Sequence, residues 1–499
     1  MRVKRTIAAL AALTVATLSG TAAADAVPQP PIQVAITTAP GARPAPGYFF
    51  LDPYQVVDKG SSGPMIIDSQ GRVVWYHPLP AGVGASDFQV QTYEGKPVLT
   101  WWQGTSGNPA FGAISNLGIG QGEDVIMNSH YRIIRVLHGL PGLYPDAHEF
   151  QLTPQGDALV TAYNLVPNQP LTITEAGETI RAGSINVVDS HALVIDVKTG
   201  KVLLNWDALA HVPLTACELP PQNPWDYFHI NSISLAPNGN LLISGRNVSA
   251  IYEVNPHIGA IVWQLGGKGG GSFTMGANTT FAYQHDPRFT SPTQISLFDD
   301  EAWNPFVSTT ASRAEWLNLD FATHTATLAR QIEKPTRQAE SWSQGNVQPL
   351  SGGGVVVSWG SAGTFSEYSP SGSMTLLGQL PAGPLTIVDG IPVKDDWNSY
   401  RVFKQLWTGT PSTRPTIATA KSSTGRWVVS ATWNGATLLR RWRVLSGRTR
   451  SRLKALATVP WNGLTTTISF TGRQLRYVAV EALGPRGRLR HGTSRVVKL

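Results

Sequence analysis

Apolar and polar residues alternate in short runs along most of this chain, and the runs pair around polar turns. One paired unit reads GPMIIDSQGRVVWYHPL from Gly63 to Leu79 and returns as ALVIDVKTGKVLLNWDAL (Ala192 to Leu209) and SAIYEVNPHIGAIVWQLGG (Ser249 to Gly267). Weaker copies are AEWLNLDFATHTATLARQI at Ala314 and FSEYSPSGSMTLLGQL at Phe365. A second unit interleaves with it: EFQLTPQGDALVTAYN at Glu149, NSISLAPNGNLLISGR at Asn231 and NVQPLSGGGVVVSWG at Asn346. Alternation with period two predicts strands with one face in the core. PQGD and PNGN are turn signals that join such strands into hairpins. Two alternating hairpins, repeated, predict four-stranded sheets arranged around an axis, which is a β-propeller. No helical period persists for more than a few turns. The chain is therefore expected to be all-β, with the propeller over residues 47–408 and an extended Pro- and Ala-rich segment, 27–46, before it.

The pattern changes near the end. After GTPSTRPT, a linker over 409–416, the runs WVVSATWNGAT, LLRRWRVLSG, LKALATVPW, TTTISF and LRYVAVEALGPRGRLRHGTS are short strands separated by turns. They predict a small β-sandwich of immunoglobulin or fibronectin type III character over 417–499. Charge divides at the same place. Residues 416–499 hold 16 Lys and Arg against one acid, Glu481, whereas the chain before them holds 23 against 31. That asymmetry supports a separate basic module, suited to an anionic surface of the cell envelope. No recognition motif for nucleic acid accompanies it. The N-terminus has a charged start, MRVKR, an apolar run from Ile7 to Leu18, and the small residues Ala22, Ala23 and Ala24. This reads as a signal peptide over 1–26 and a secreted or periplasmic address. No later apolar run is long enough to span a bilayer. The single cysteine, Cys217, excludes an intrachain disulfide and is expected to be a buried thiol.

Candidate chemistry concentrates between Trp225 and Arg288. WDYFHINSI holds His229 and Asn231, LLISGR ends at Arg246, and FAYQHDPRF holds His285 and Asp286. Two imidazoles, a carboxamide and a guanidinium at strand ends suit an oxyanion, although single polar residues there are commonly structural. Asp286 is a candidate to set the tautomer of its neighbour His285. Trp101 and Trp102 are candidates for an aromatic pocket or for core packing, and Lys268 for an anion contact or an ordinary loop cation.

The ordered set KPVLTWWQG (Lys96), DAHEFQLTPQGDALVTAYN (Asp146), WDYFHINSI, LLISGRNVSAIYEV, WQLGGKGGGSFTMG (Trp263), QHDPRF (Gln284), LFDDEAWN (Leu297) and WGSAGTFSEYSPSG (Trp359) resembles the secreted arylsulfotransferases, in their actinobacterial and fungal branch. The resemblance implies a six-bladed propeller with its active site on the central channel. It implies ping-pong sulfuryl transfer from an aryl sulfate to a phenol through a sulfated histidine, without a nucleotide sulfate donor; no cofactor or metal is expected. His285 matches the sulfated position, His229 and Arg246 match catalytic positions, and Asn231 and His148 match substrate-binding ones. The residue types suit this chemistry. Neutral imidazole is a nucleophile near neutral pH, and fixed guanidinium and amide donors stabilise charge on sulfuryl oxygens. Two rivals stand beside it: a non-catalytic binding protein, and a metal-dependent propeller enzyme liganded by His148, His229 and His285. The cation Arg246 in the same set disfavours the latter.

Overall fold

The computed structural model describes residues 29–55, 63–106, 118–175, 178–268, 270–300, 311–333, 335, 341–388, 391–472 and 475–499. The expected leader and the EAWN half of LFDDEAWN lie outside the described residues. Among those described, regular structure is strand, interrupted by short 3-10 turns such as Leu214–Ala216. No helix among them is long and apolar enough to cross a membrane.

The two repeating units become outer and inner hairpins of the sheets in which they fall. The first supplies outer hairpins: Met65–Ile67 with Val73–Tyr76, Ala250–Val254 with Ile261–Gly266, Arg313–Asp320 with Thr325–Glu333, and Thr364–Tyr368 with Met374–Gln379. The second supplies inner hairpins: Pro145–Leu152 with Asp157–Glu175, Ile230–Leu235 with Leu241–Gly245, and Asn346–Pro349 with Val355–Ser358. Turn chemistry fixes these pairs. Gly239 of PNGN has φ 86° and Gly156 of PQGD φ 93°, where a side chain would be strained. Ala236 N–H donates to Asn240 O at 2.8 Å, closing the first of these turns.

Six sheets, each with four antiparallel strands and three of them with an added fifth, result among the described residues. Their inner strands are Gly84–Tyr93, Pro145–Leu152, Ile230–Leu235, His285–Ser291, Asn346–Pro349 and Val402–Gln405. Each touches the next in that order and the last touches the first, so the sheets form a closed ring, a β-propeller. The ring is closed by its own ends. Val402–Gln405 pairs with Tyr48–Leu51, from Tyr48 opposite Gln405 to Leu51 opposite Val402. A second tie is the strand Ala35–Thr38, antiparallel to the outer strand Met374–Gln379 of the sheet before the closure. Ile32 and Val34, just before it, are buried with Phe49, Phe365 and Leu376. Full burial of such side chains stabilises by roughly 1.5–3 kcal/mol each.

Two further sheets follow the ring. Thr416–Lys421, Trp427–Thr432 and Thr465–Phe470 form one; Arg452–Pro460, Arg441–Thr449, Tyr477–Gly484 and Gly487–Thr493 form the other. Val429, Ala431, Ile468 and Phe470 of the first share a core with Trp442, Val444, Val478 and Val480 of the second. This unit touches the ring closely. Asn434 Oδ1 accepts from Tyr76 N–H (3.0 Å), Asn434 Nδ2 donates to Tyr76 O (2.8 Å), and Gly435 N–H donates to Val74 O (2.9 Å). Tyr131 Oη donates to Gly435 O at 2.8 Å, and Arg72 lies 4.9 Å over the Trp461 ring.

Candidate active site

Three inner strands begin with the residues that matter. His148 lies near the start of Pro145–Leu152, His229 directly precedes Ile230–Leu235, and His285 opens His285–Ser291. Gln344 and Tyr400 precede the inner strands Asn346–Pro349 and Val402–Gln405. All five therefore gather at one end of the ring's axis. The pairings slip there, between Pro145 and Phe150, Ile230 and Ser232, and His285 and Arg288. Such bulges re-aim side chains. His229, Tyr283, Asp286 and Gln344 all have φ between 53° and 70°, a costly backbone for non-glycine residues and one that clusters at functional sites.

Two of the imidazoles meet, and a tyrosine joins them to the third. The His148 and His229 rings lie 4.8 Å apart between centroids, and Tyr400 stands 5.4 Å from His148 and 6.3 Å from His285. Each imidazole is oriented by its own carboxylate at Nδ1: His148 by Asp146, His229 by Asp226 at 2.5 Å, and His285 by Asp300 at 2.6 Å. A donor at Nδ1 leaves Nε2 with the lone pair. At His285 that lone pair accepts the main-chain N–H of Gln344 at 3.1 Å. Burial, reinforced by the Arg246 cation, pushes His285 well below the ordinary histidine range. Burial also lowers His229, with Asp226 opposing and His148 and Arg246 adding to the fall. His285 is thus a neutral imidazole at pH 7.

Arg246 sits in the turn after Leu241–Gly245. Its Nη1 donates to Asn247 Oδ1 (2.8 Å), its Nη2 to Trp342 O (3.1 Å), and its guanidinium lies 5.0 Å over the Tyr283 ring. Asn231 is fully buried; its Nδ2 donates to Gln284 O at 2.7 Å, leaving one amide hydrogen for a ligand. Beneath the histidines the axis is ionic. Arg401 pairs with Asp87 (2.9 Å) and Glu149 (3.1 Å), and Arg288 with Glu149 and Asp286 (2.7 Å each). Burial works against the charge on Arg401, and Glu149 and Asp87 outweigh it.

The five residues singled out in the sequence, His148, His229, Asn231, Arg246 and His285, come from two neighbouring inner hairpins and the next inner strand. Asp286 does not orient His285. It points the other way along the strand, toward Arg288 and Arg401, and Asp300 takes the tautomer-setting place. Trp101 and Trp102 are core residues, 0% and 2% exposed. Lys268 binds the carbonyls of Thr215 and Cys217. The Cys217 thiol is buried and pushed up to about 12 by that burial. Among the described residues no three His, Cys, Asp or Glu side chains are grouped as metal ligands would be. Asp146, Asp226, Asp300, Gln344 and Tyr400 are the members that sequence reasoning missed.

A family model described as arylsulfotransferase (ASST) matches residues 89–379. No curated protein matches the chain. Among solved structures, a protein of unknown function from Bacteroides caccae is 13% identical with a TM-score of 0.40, the match covering 72% of this chain and 98% of that one. A catalytically inactive virginiamycin B lyase from Staphylococcus aureus with quinupristin is 11% identical, with a TM-score of 0.35 and coverage of 74% and 99%. Apo AztD from Citrobacter koseri is 8% identical, with a TM-score of 0.30 and coverage of 73% and 99%.

Proposed function

This chain belongs to the arylsulfotransferase family, and we propose that it moves a sulfuryl group from an aryl sulfate to a phenol in two displacements through His285. The observation that carries this reading is the set of three carboxylate-oriented imidazoles beside Arg246 at one mouth of the ring. In the first displacement the Nε2 lone pair of neutral His285 forms the N–S bond. The S–O bond to the aryl group breaks, and its electron pair leaves with the phenolate. One added proton, taken up from solvent on an Nε2 and shared by the His148–His229 pair, goes to that oxygen. Arg246, the remaining Asn231 amide hydrogen and the Gln344 N–H face the sulfuryl oxygens, with the Gln344 donor passing from Nε2 to an oxygen as the N–S bond forms. In the second displacement a phenol gives its proton back to the histidine pair and attacks sulfur. The S–N bond breaks, and its electron pair returns to His285. Atoms and protons balance over the cycle, and two displacements through one site give ping-pong kinetics.

The six sheets are read as six blades, the C-terminal unit as an immunoglobulin-like sandwich suited to an anionic envelope surface, and the chain as secreted. A non-catalytic binding protein is the second reading, favoured by one observation: Nε2 of His285 already carries a hydrogen bond. An intact-mass measurement separates the two. Donor alone should add one sulfuryl mass, and acceptor should remove it. His285→Ala should abolish adduct and turnover. Arg246→Ala should slow adduct formation by on the order of 10²-fold, the worth of one preorganised donor. Equal transfer by His285→Ala removes His285 from the mechanism; no adduct and no turnover in the wild type hands the site to the binding-protein reading.

A further inference from the structure

The site holds aromatic rings, yet their faces or hydroxyls are in use. Tyr163 Oη donates to Ile230 O at 2.5 Å, Tyr400 Oη donates to Asn231 O at 3.2 Å, and Tyr283 lies under Arg246. All three are buried. Trp342 is different, being 55% exposed. Single exposed apolar residues are ordinary, so exposure alone says little. What distinguishes Trp342 is how its backbone is built into the site. Its N–H donates to Ser361 Oγ (3.0 Å), its carbonyl accepts from Arg246 Nη2 (3.1 Å), and two residues on, Gln344 N–H reaches His285 Nε2 (3.1 Å). The indole itself makes no hydrogen bond or ring contact among the described residues. A backbone tied to Arg246 and Ser361, two residues before the Gln344 N–H on His285, thus carries a half-exposed indole.

In-line displacement sets where the aryl group lies. Nε2 of His285 faces the Gln344 main chain at 3.1 Å, so a leaving oxygen opposite Nε2 points toward the segment 341–344 that carries Trp342. We propose that Trp342 is the platform on which the aromatic ring of donor and acceptor stacks, making it the residue that selects aryl esters and enlarged phenols. This rests on the sulfuryl-transfer reading above. Offset stacking on an indole favours larger π systems, so the platform should distinguish naphthyl from small non-aromatic sulfates.

The test is equilibrium binding of 2-naphthyl sulfate and of inorganic sulfate to the full chain by calorimetry, with thermal melting as the folding check. Trp342→Ala should weaken 2-naphthyl sulfate about three- to ten-fold, the worth of a stacked pair, and leave inorganic sulfate unchanged, since the backbone bonds to Arg246 and Ser361 need no indole. Trp342→Phe should restore most of the loss. If the alanine variant does not fold, Trp342→Leu against Trp342→Phe serves, with weakening in the leucine variant alone. Unchanged naphthyl affinity in the ring-less variant, equal losses for both anions, or no naphthyl binding by the wild type each overturn the platform. Trp342-dependent binding without turnover would leave the platform standing and sink sulfuryl transfer.

Discussion

Asp300 decides which nitrogen of His285 can attack. Its carboxylate accepts Nδ1–H at 2.6 Å and so keeps the lone pair on Nε2. Asp300→Asn can turn an amide hydrogen toward Nδ1 and reverse the tautomer; turnover should fall by on the order of 10²–10⁴, as it does when an orienting aspartate is replaced in a serine-protease triad. A conservative Asp300→Glu that restores part of the rate would separate orientation from folding. The pH profile has a defined sign. A histidine lowered by burial and by Arg246 stays neutral as pH falls through its ordinary value. Adduct formation should therefore hold steady through about pH 6.5, the unperturbed histidine value. A loss of adduct rate with its midpoint there would mean that His285 is not shielded. Two of the orienting carboxylates were within reach of the sequence. Asp146 stands two residues before His148 in DAHEF, and Asp226 three before His229 in WDYFH. Asp300 is 15 residues beyond His285, and Gln344 is 59 beyond it. Contacts at that separation exist only once the ring has closed, so periodicity and turn signals carry no trace of them.

The outer hairpins were legible because alternation and Gly turns mark them, and their ranges match the repeating units closely. The sheet built from Gly84–Tyr93, Lys96–Ser106, Gly120–Met127 and Ile133–Leu137 was not among those units. Its inner strand slips register between Ser86 and Gln89, which spoils the alternation there. The hairpin His285–Ser291 with Gln294–Asp299 was missed for a related reason: it slips twice. Closure is also shared between elements in a way that only three dimensions reveal. Ala35–Thr38 straddles the seam, pairing with Met374–Gln379 while Val34 O lies against Gly71, where a Cβ would stand 2.4 Å away. A chain beginning at Pro40 keeps the Val402–Gln405 closure but loses the burial of Ile32 and Val34. It should remain folded with urea stability lower by about 3–6 kcal/mol, from two buried side chains. An unchanged urea midpoint would show that the N-terminal strand contributes nothing to the closure.

At the scale of the whole molecule, a strand, Thr416–Lys421, begins where the charge divides, and the expected linker is not a free tether. Thr410 N–H donates to Ser129 O (2.8 Å), and Gly409 N–H to Thr437 Oγ1 (2.9 Å). We expect a chain ending near Thr410 to keep one cooperative thermal transition, because each unit has its own core. It should melt lower, having lost the Asn434 and Gly435 hydrogen bonds at about 0.5–1.5 kcal/mol each. Loss of the transition would make the tail part of the ring's own fold. The Asn434 contact has a consequence beyond stability. Val73–Tyr76 is an outermost strand, and the groups that Asn434 and Gly435 satisfy, Val74 O with Tyr76 N–H and O, are those an edge offers to a foreign strand. Exposed edges template aggregation. The tail is therefore a guard rail for a protein expected to work outside the cell, and without it the first failure should be two rings zipped edge to edge.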